Sequence, residues 1–201
     1  MDKLEEAAYF VSSVYVVKKP EFVEPVSRVS DRNFQERSGQ EVTVMSGNYS
    51  SDPEITEFTQ YVSQTAWNIL AAQGYKMDNL VTFFTEMWTQ EHNQYSSMET
   101  HVHGMGSQIS AFFFLEVPEG GCKMVIHDPR PGKVIISMPA ASEDKVTQAS
   151  TQVVFTPQAG HLIFTNAWLP HSFTRNTSSK PMKFVHMNLS VTYQEPAVEV
   201  L

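Results

Sequence analysis

The clearest periodic pattern along the chain is helical. Asp52 has the side chain of a good N-cap, and Pro53 suits the first turn of a helix. Apolar residues then recur every three or four positions and would line one helix face: Ile55, Phe58, Val62, Ala66 and Ile69. Because Gly74 is a natural C-terminal stop, the pattern predicts one helix between Asp52 and Gly74 that packs on a sheet.

The rest of the pattern is typical of β-structure. Runs rich in β-branched and aromatic residues, separated by Pro and Gly turns, predict strands. These runs are residues 9–17, 109–117, 122–127, 134–138, 152–156, 161–165 and 183–192, with one more around Phe173. Residues 80–90 fit either a helix or a strand, and their Thr, Val, Phe and Trp content favours a strand. Residues 21–50 show no clear element. About eight short strands behind one helix predict a mainly β fold, a sandwich or a jelly roll.

Composition narrows the class of protein. A chain of 201 residues with 18% charged residues is expected to form one globular domain, residues 1–201, with its core at about 79–192. The formal net charge of -8 and the lack of basic runs argue against a nucleic-acid-binding surface. Cys122 is the only cysteine, which excludes an internal disulfide and a cysteine-based zinc site. No signal-like or membrane-spanning segment stands out, so we expect a cytoplasmic protein.

Candidate metal ligands begin with the pair His101 and His103. Residues i and i+2 of an extended chain point to the same side, so both imidazoles could reach one metal ion. By itself a His-x-His pair is a weak signal, because two surface histidines are commoner. A third histidine, His171, follows Pro170 at the start of a predicted strand, where a buried polar ring needs a partner. The three imidazoles together predict a site for Fe, Zn, Cu or Ni.

A carboxylate ligand is less obvious in the sequence. Non-haem iron sites combine two histidines with a carboxylate and leave positions open. The carboxylate position after His101 is taken by His103. Asp128 is the best alternative ligand, although Asp before Pro more often caps a turn. Glu116 is a weaker candidate. His127 adjoins Asp128 and could orient it, whereas packing or hydrogen bonding accounts for the other histidines.

The ordered motifs resemble a known family. The segments HVHGMGSQISAFFFLEVPEGGCKMVIHDPRPG, FTPQAGHLIFTNAWLPHSFTRN and KFVHMNLS are similar to the 2-oxoglutarate/Fe(II)-dependent oxygenases. The similarity is greatest to a branch found in bacteria and in phages of marine cyanobacteria, with His-x-His, Asp-Pro-Arg and Pro-His-Ser motifs. It covers residues 79–192 and implies a double-stranded β-helix, or jelly roll, with at least one N-terminal helix packed on the sheet.

The resemblance also implies a reaction and its site. His101 matches the first family histidine, His171 the distal one, and His103 falls at the carboxylate position. The family holds 2-oxoglutarate with a basic residue on the last strand, here Lys183 or, as an alternative, Lys180, and Arg130 or Arg175 could contribute. The implied activity is a dioxygenase that hydroxylates a C–H bond using Fe(II), 2-oxoglutarate and O₂, with ascorbate as an optional reductant. Asp128 completes the metal site, or His103 does, or a water.

Two other functions stay open at this point. A cupin-type metalloprotein that does not use 2-oxoglutarate also fits His-x-His followed by a distant histidine. A non-enzymatic jelly-roll binding or structural protein fits the fold alone. The expected partner is a small-molecule or protein side-chain substrate rather than nucleic acid or a membrane. The oligomeric state is left open, a homodimer included, and a phage-encoded protein would act in the host cytoplasm.

Overall fold

The computed structural model describes residues 5, 7–34, 42–104, 106–136 and 138–194. Its helices are α1 (Val23–Asn33), α2 (Thr56–Ala72) and α3 (Pro131–Ile135), and 3-10 turns at Pro20–Phe22 and Pro53–Ile55 lead into α1 and α2. Its strands are β1 (Val14–Lys18), β2 (Thr43–Met45), β3 (Leu80–His92), β4 (Met98–His101), β5 (Ile109–Glu116), β6 (Met124–His127), β7 (Gln152–Phe155), β8 (His161–Asn166), β9 (His171–Phe173) and β10 (Met182–Tyr193).

The strands form two antiparallel sheets wound as a nested hairpin. Strand β3 pairs with β10, β4 with β9, β5 with β8 and β6 with β7. The larger sheet has the order β1-β8-β5-β10-β3-β2 and the smaller sheet the order β4-β9-β6-β7. The chain therefore alternates between the sheets as the hairpin rolls up. This winding is a double-stranded β-helix, and the predicted fold class is confirmed.

Side chains along the strands of the large sheet alternate between its two faces, and each face contributes to a separate hydrophobic core. Phe112, Phe114 and Phe184 point between the sheets, where they meet Met124 and Phe173 of the small sheet. The intervening residues of the same strands point to the other side and pack under the helices; they include Phe113, Val185 and Met187. Both faces of the central strands are therefore apolar, which explains the unbroken run in β5.

Helix α2 covers the outer face of the large sheet, as its pattern predicts. The Asp52 side chain accepts a hydrogen bond from the backbone N–H of Glu54 at the start of this segment. Phe58, on the apolar face of α2, packs against Phe113 with ring centroids 4.9 Å apart. Full burial of such a side chain contributes on the order of 2–3 kcal/mol to folding. The chain leaves the helix through Gly74, whose φ of 90° suits a residue without a Cβ.

Two local expectations were wrong. Residues 134–138 were predicted as a strand, but Pro131 begins the short helix α3, and Ile135 and Ile136 are 81% and 79% exposed. An extended conformation brings no hydrogen bonds or packing to apolar residues that have no neighbouring strand. The segment 21–50, without a predicted element, contains α1, whose Val26 and Val29 are fully buried.

None of the helices in the described parts of the chain is long and apolar enough to cross a lipid bilayer.

Candidate metal centre

Three histidines meet at one end of the roll. His101 ends β4 and His171 begins β9, and the two are direct partners in the antiparallel register. His103 follows two residues later, where its backbone N–H donates to the Ala167 carbonyl at 2.9 Å. One ring nitrogen from each histidine lies within 4.8 Å of the others. The structure thus brings together residues separated by about 70 positions in a cluster that could hold a metal ion.

The outer ring nitrogens of two histidines face backbone carbonyls. His101 Nδ1 lies 2.7 Å from the Glu99 carbonyl oxygen, and His171 Nδ1 lies 3.0 Å from the Leu169 carbonyl oxygen. A carbonyl only accepts, so each Nδ1 carries the proton and each Nε2 carries the lone pair. This is the tautomer required of a metal ligand that binds through Nε2.

The spacing of the inner nitrogens fits a common cation. His103 Nε2 and His171 Nε2 are 3.2 Å apart. Two imidazole nitrogens bound at about 2.1 Å, with an angle between a right angle and the tetrahedral value, would lie roughly 3.0–3.4 Å apart. Without a cation, one of the two nitrogens must donate a proton to the other. The His171 tautomer assigns that proton to His103 Nε2.

Burial keeps these imidazoles neutral. Desolvation lowers the pKa of His171 to about 3, against a smaller opposing effect of its bond to the Leu169 carbonyl. Desolvation, with the neighbouring His101, lowers the pKa of His103 to about 4. Neutral imidazole is the form that binds metals, so neither ring has a net positive charge to lose at neutral pH.

Aromatic rings hold the cluster in place from the large sheet. Phe112 contacts His171 edge-on, with ring centroids 5.0 Å apart, and stacks on His186 at 4.9 Å. The His186 ring lies 4.3 Å from the His103 ring. The sequence interpretation treated His186 as a packed residue, and its place is a packed one, directly behind His103. His186 and Asn188 are two residues apart on one strand, so their side chains share a face, and this spacing is visible in the sequence.

Asn188 contacts the one histidine whose Nδ1 lacks a carbonyl. Its side-chain nitrogen lies 3.3 Å from His103 Nδ1 and donates to Glu86 Oε2 at 3.2 Å. Its oxygen accepts from Ser110 Oγ at 2.9 Å. An ionised carboxylate only accepts, so Glu86 fixes which end of the amide faces His103. This arrangement favours a proton on His103 Nε2, the nitrogen that would have to bind the metal.

Asn188→Asp, made together with Glu86→Gln so that two carboxylates do not face each other, is therefore expected to tighten Mn(II) binding about ten-fold. A carboxylate oxygen beside His103 accepts a proton from Nδ1 and leaves Nε2 free before the metal arrives. Calorimetric titration with Mn(II) measures the affinity, and ¹⁵N NMR of the imidazoles in the metal-free protein reports the tautomer. Asn166→Asp is the matched control, because Asn166 bonds Gln73 on the opposite side of the sheet. Weaker Mn(II) binding in the double variant than in the control would contradict the assignment.

The structure does not bring Asp128 into the histidine cluster. Its carboxylate accepts from Arg130 Nε at 2.9 Å and from Arg130 Nη2 at 2.8 Å, and it also accepts from the Arg130 backbone N–H. Lys133 Nζ lies 3.8 Å away. These bonds, chiefly those from Arg130, lower the pKa of Asp128 to about 2. Asp128 thus caps the Asp-Pro-Arg turn, which is the alternative role weighed from the sequence.

Asp128→Asn is expected to leave metal affinity unchanged, because the carboxylate is committed to Arg130 and Lys133. Titration of both proteins with Mn(II), followed by electron paramagnetic resonance of the free ion, makes the comparison. A ligand at this position would instead cost at least about 100-fold in affinity on removal, and that result would restore Asp128 to the metal site.

The predicted co-substrate lysines lie away from the cluster. Lys183 is flanked on β10 by Met182 and Phe184, which both point between the sheets, so its side chain points to the helical side. There it pairs with Glu116 at 3.0 Å and Asp31 at 3.2 Å. Lys180 is exposed in the connection before β10. Spacing along the chain placed Lys183 correctly on the strand but could not show which face it occupies. Glu116 pairs with Lys183 and likewise lies outside the cluster.

Comparison with known proteins finds one matching family model. The model of a family described as "Putative 2OG-Fe(II) oxygenase" matches residues 86–183, a stretch that contains all three histidines. The chain is similar to the 2-oxoglutarate/Fe(II)-dependent oxygenases. The resemblance to this superfamily is thereby confirmed, and with it the expectation of an oxygenase enzyme. Among curated proteins, none matches the chain.

Solved structures of 2-oxoglutarate oxygenases share the fold. A prolyl-4-hydroxylase of Pseudomonas putida matches with a TM-score of 0.57 and 11% identity, over 89% of this chain and 93% of its own. A viral collagen prolyl hydroxylase of Paramecium Bursaria Chlorella virus-1 matches with a TM-score of 0.56 and 9% identity, over 88% and 94%. HygX of Streptomyces hygroscopicus, solved with nickel and 2-oxoglutarate bound, matches with a TM-score of 0.54 and 12% identity, over 89% and 83%. At these identities the likeness establishes the fold.

Proposed function

We propose that this oxygenase relative is a hydroxylase that uses Fe(II), 2-oxoglutarate and O₂. The observation that carries the proposal is the convergence of His101, His103 and His171 on one point at the end of the roll. The family match and the structural neighbours support the same chemistry, since one neighbour was solved with Fe³⁺ and α-ketoglutarate and another with nickel and 2-oxoglutarate. Cupin-type chemistry without 2-oxoglutarate has no comparable support.

The residues present fit an iron ion. Imidazole nitrogen is a suitable ligand for Fe(II), and a neutral histidine binds it without releasing a net proton, once the His103 proton has moved from Nε2 to Nδ1. Within the described residues, no carboxylate joins the three histidines within ligand distance. Of the three ligand sets considered from the sequence, we therefore favour the one with three histidines. Such a set leaves further positions for the co-substrate and O₂.

The bound iron would supply the oxidation chemistry, which converts 2-oxoglutarate and O₂ to succinate and CO₂ and adds one oxygen atom to a substrate C–H bond. The chain supplies position and environment. The Glu99 and Leu169 carbonyls orient the His101 and His171 rings. Phe112 and the packed interior behind it keep water away from the inner side of the cluster. His171 is 1% exposed, whereas His101 and His103 are partly exposed, so solutes approach from their side.

The direct test is 2-oxoglutarate turnover by the reconstituted protein. Fe(II)-loaded protein with ¹⁴C-labelled 2-oxoglutarate and O₂ is expected to release labelled CO₂ and succinate slowly, even without a primary substrate. Protein loaded with Mn(II) under the same conditions is the control for release without iron. If Fe(II) binds with one ion per chain and no succinate forms, the co-substrate assignment is wrong while the metal site stands.

A further inference from the structure

A cavity of about 460 Å³ lies beside the histidine cluster, between the N-terminal segment, the end of β6 and the loop before β7. This volume is within the range of small-molecule sites. Because a water molecule takes up about 30 Å³ of the liquid, the cavity has room for roughly 15 non-hydrogen atoms. A molecule of two fused rings has this size.

The cavity lies on the same side of the small sheet as the metal ligands. Ile126 lines it, belongs to the core between the sheets and is the register partner of His171. Leu169 also lines the cavity, and its carbonyl accepts the hydrogen bond from His171 Nδ1. A molecule in the cavity would therefore contact two residues that adjoin His171. The substrate of an oxygenase needs this closeness to the metal.

The floor of the cavity is apolar. Val14, Ile126 and Leu169 contribute to it, together with Val153. Val153 is the register partner of Ile126, so the two side chains point to the same side of the sheet, whereas Val154 points away. Such a floor favours the apolar body of a ligand, since the ligand loses its contact with water there.

Two aromatic residues of the N-terminal segment, Tyr9 and Phe10, belong to the outer wall of the cavity. They are 77% and 93% exposed, so a flat molecule lying against their rings would cover apolar surface that is now in contact with water. Phe10 also has a φ of 58°, a backbone conformation that is uncommon for a bulky residue. Residues held in such conformations cluster at sites that contact ligands.

The charges that line the cavity compensate each other. Among the described lining residues, Arg130 and Asp128 are the charged ones, because desolvation lowers the pKa of His127 and keeps its ring neutral at neutral pH. Arg130 Nε and Nη2 donate to the two Asp128 oxygens at 2.9 and 2.8 Å. Lys133 does not line the cavity, and its Nζ donates to two backbone carbonyls. A charged ligand would thus lose its hydration without meeting a free counter-charge.

We propose that the primary substrate is an uncharged molecule with a flat, apolar body, and that it binds in this cavity against Tyr9 and Phe10. The proposal rests on the hydroxylase function proposed above and adds the chemical class of the substrate. The apolar floor binds the body of the molecule, and the compensated pair of Arg130 and Asp128 excludes a net charge. The neighbourhood of His171 places the molecule beside the metal ligands.

Three ligands with one ring system and different charges test this selectivity: 2-naphthamide is uncharged, 2-naphthoate is an anion and 2-naphthamidine is a cation. Titration of the metal-free protein, followed by ligand fluorescence, measures each affinity without a metal ion that could bind the carboxylate. The uncharged amide is expected to bind at least about ten-fold more tightly than either ion, because nothing offsets the desolvation of the ions. Binding of either ion as tightly as the amide would overturn the proposal.

Variants of the cavity lining show where the amide binds. Val153→Asp places a charge in the floor and is expected to weaken 2-naphthamide binding at least about ten-fold, with Val154→Asp, at a 49% exposed position, as the matched control. Phe10→Ala repeats the test at an exposed position, in case Val153→Asp folds poorly, and a loss of roughly five-fold is expected. Tyr193→Ala removes an exposed ring outside the cavity and is its control. Losses no larger than those of the controls would refute binding in this cavity.

Asp128→Asn tests the compensation of charge directly. Without the carboxylate the Arg130 guanidinium is unpaired, so 2-naphthoate is expected to bind about ten-fold more tightly than to the wild type. The affinity for 2-naphthamide is expected to stay the same. An unchanged affinity for 2-naphthoate would mean that the pair does not set the preference for an uncharged ligand, and would contradict the proposal.

A relaxation measurement separates this proposal from the hydroxylase proposal. With Mn(II) bound to the protein, the ring protons of 2-naphthamide are expected to relax faster than in the metal-free protein, because the cavity adjoins the histidines. If bound Mn(II) has no such effect, the cavity is not the substrate site, and the hydroxylase proposal is untouched. If the protein binds no Mn(II), the hydroxylase proposal and the substrate role both fall, while the charge preference measured on the metal-free protein stands.

Discussion

His171→Ala should lose divalent metal binding, with affinity for Fe(II) or Mn(II) falling at least about 100-fold. The ring is 1% exposed and fixed by the Leu169 carbonyl, and among the described residues the cluster holds only two other histidines. Calorimetric titration and the metal content after desalting measure the loss. Circular dichroism separates this loss from unfolding, since alanine leaves a small cavity beside Phe112.

His127→Ala is the matched control for that variant. His127 belongs to the strand next to His171, but its Nε2 contacts Ser172 Oγ at 2.8 Å and Thr100 Oγ1 at 3.2 Å, and it is outside the cluster. Its removal is expected to leave metal content at one ion per chain. Stoichiometric metal in His171→Ala, or equal losses in both variants, would mean that the three imidazoles do not form the site.

Acidification is expected to unfold the metal-free protein between about pH 6.5 and pH 4. Three buried histidines have pKa values depressed by desolvation: His92 to about 4, His171 to about 3, and His186 well below its ordinary value. The unfolded chain takes up protons near pH 6.5, where the folded protein does not. Unfolding free energy therefore falls as pH falls below 6.5. At pH 5 His92 and His171 each cost about 2 kcal/mol, or about 4 kcal/mol together, and His186 adds a cost of the same sign. This is a large part of the total stability of many domains.

Urea unfolding at pH 7 and pH 5, followed by circular dichroism, measures this dependence. His92→Gln is expected to reduce the difference in stability between the two pH values by about 2 kcal/mol, because one of the three groups no longer titrates. Gln64→His, which adds an exposed histidine on α2, should leave the difference unchanged. A pH dependence that is the same in His92→Gln as in the wild type would show that burial does not keep this ring neutral.

The hydrophobic pattern of the sequence predicted helix α2 and strand β5 correctly. Helix α2 was found from its cap, its apolar face and Gly74, and β5 from its continuous apolar run. Helix α1 was missed because Val26 and Val29 stand among polar and charged residues, and its burial depends on the sheet beneath it. The strand predicted at 134–138 failed for the opposite reason. Its apolar residues suit a strand, but no neighbouring strand is there to pair with them.

Only the part of the candidate site that stands out as a local motif could be predicted. The His-x-His pair and the distal His171 are visible as motifs, and the winding of the roll places them together. Asn188 and His186 could not be assigned to the site, because their contacts depend on which face of β10 points inward. For the same reason Lys183 was predicted as the co-substrate ligand. The neighbouring residues Met182 and Phe184 point between the sheets, and Lys183 points the other way. Arg130 is also a candidate from the sequence, and the structure shows its guanidinium paired with Asp128.

The nested pairing of the strands also makes the histidine cluster a late product of folding. β4 can meet β9 only after the chain between them, about 70 residues, has turned back on itself, and such distant pairings form slowly. A metal ion held by both strands would then fasten the two halves of the long hairpin together. Each ten-fold excess of free metal over its dissociation constant would add about 1.4 kcal/mol to the folded state, so that iron supply and completion of the roll become linked.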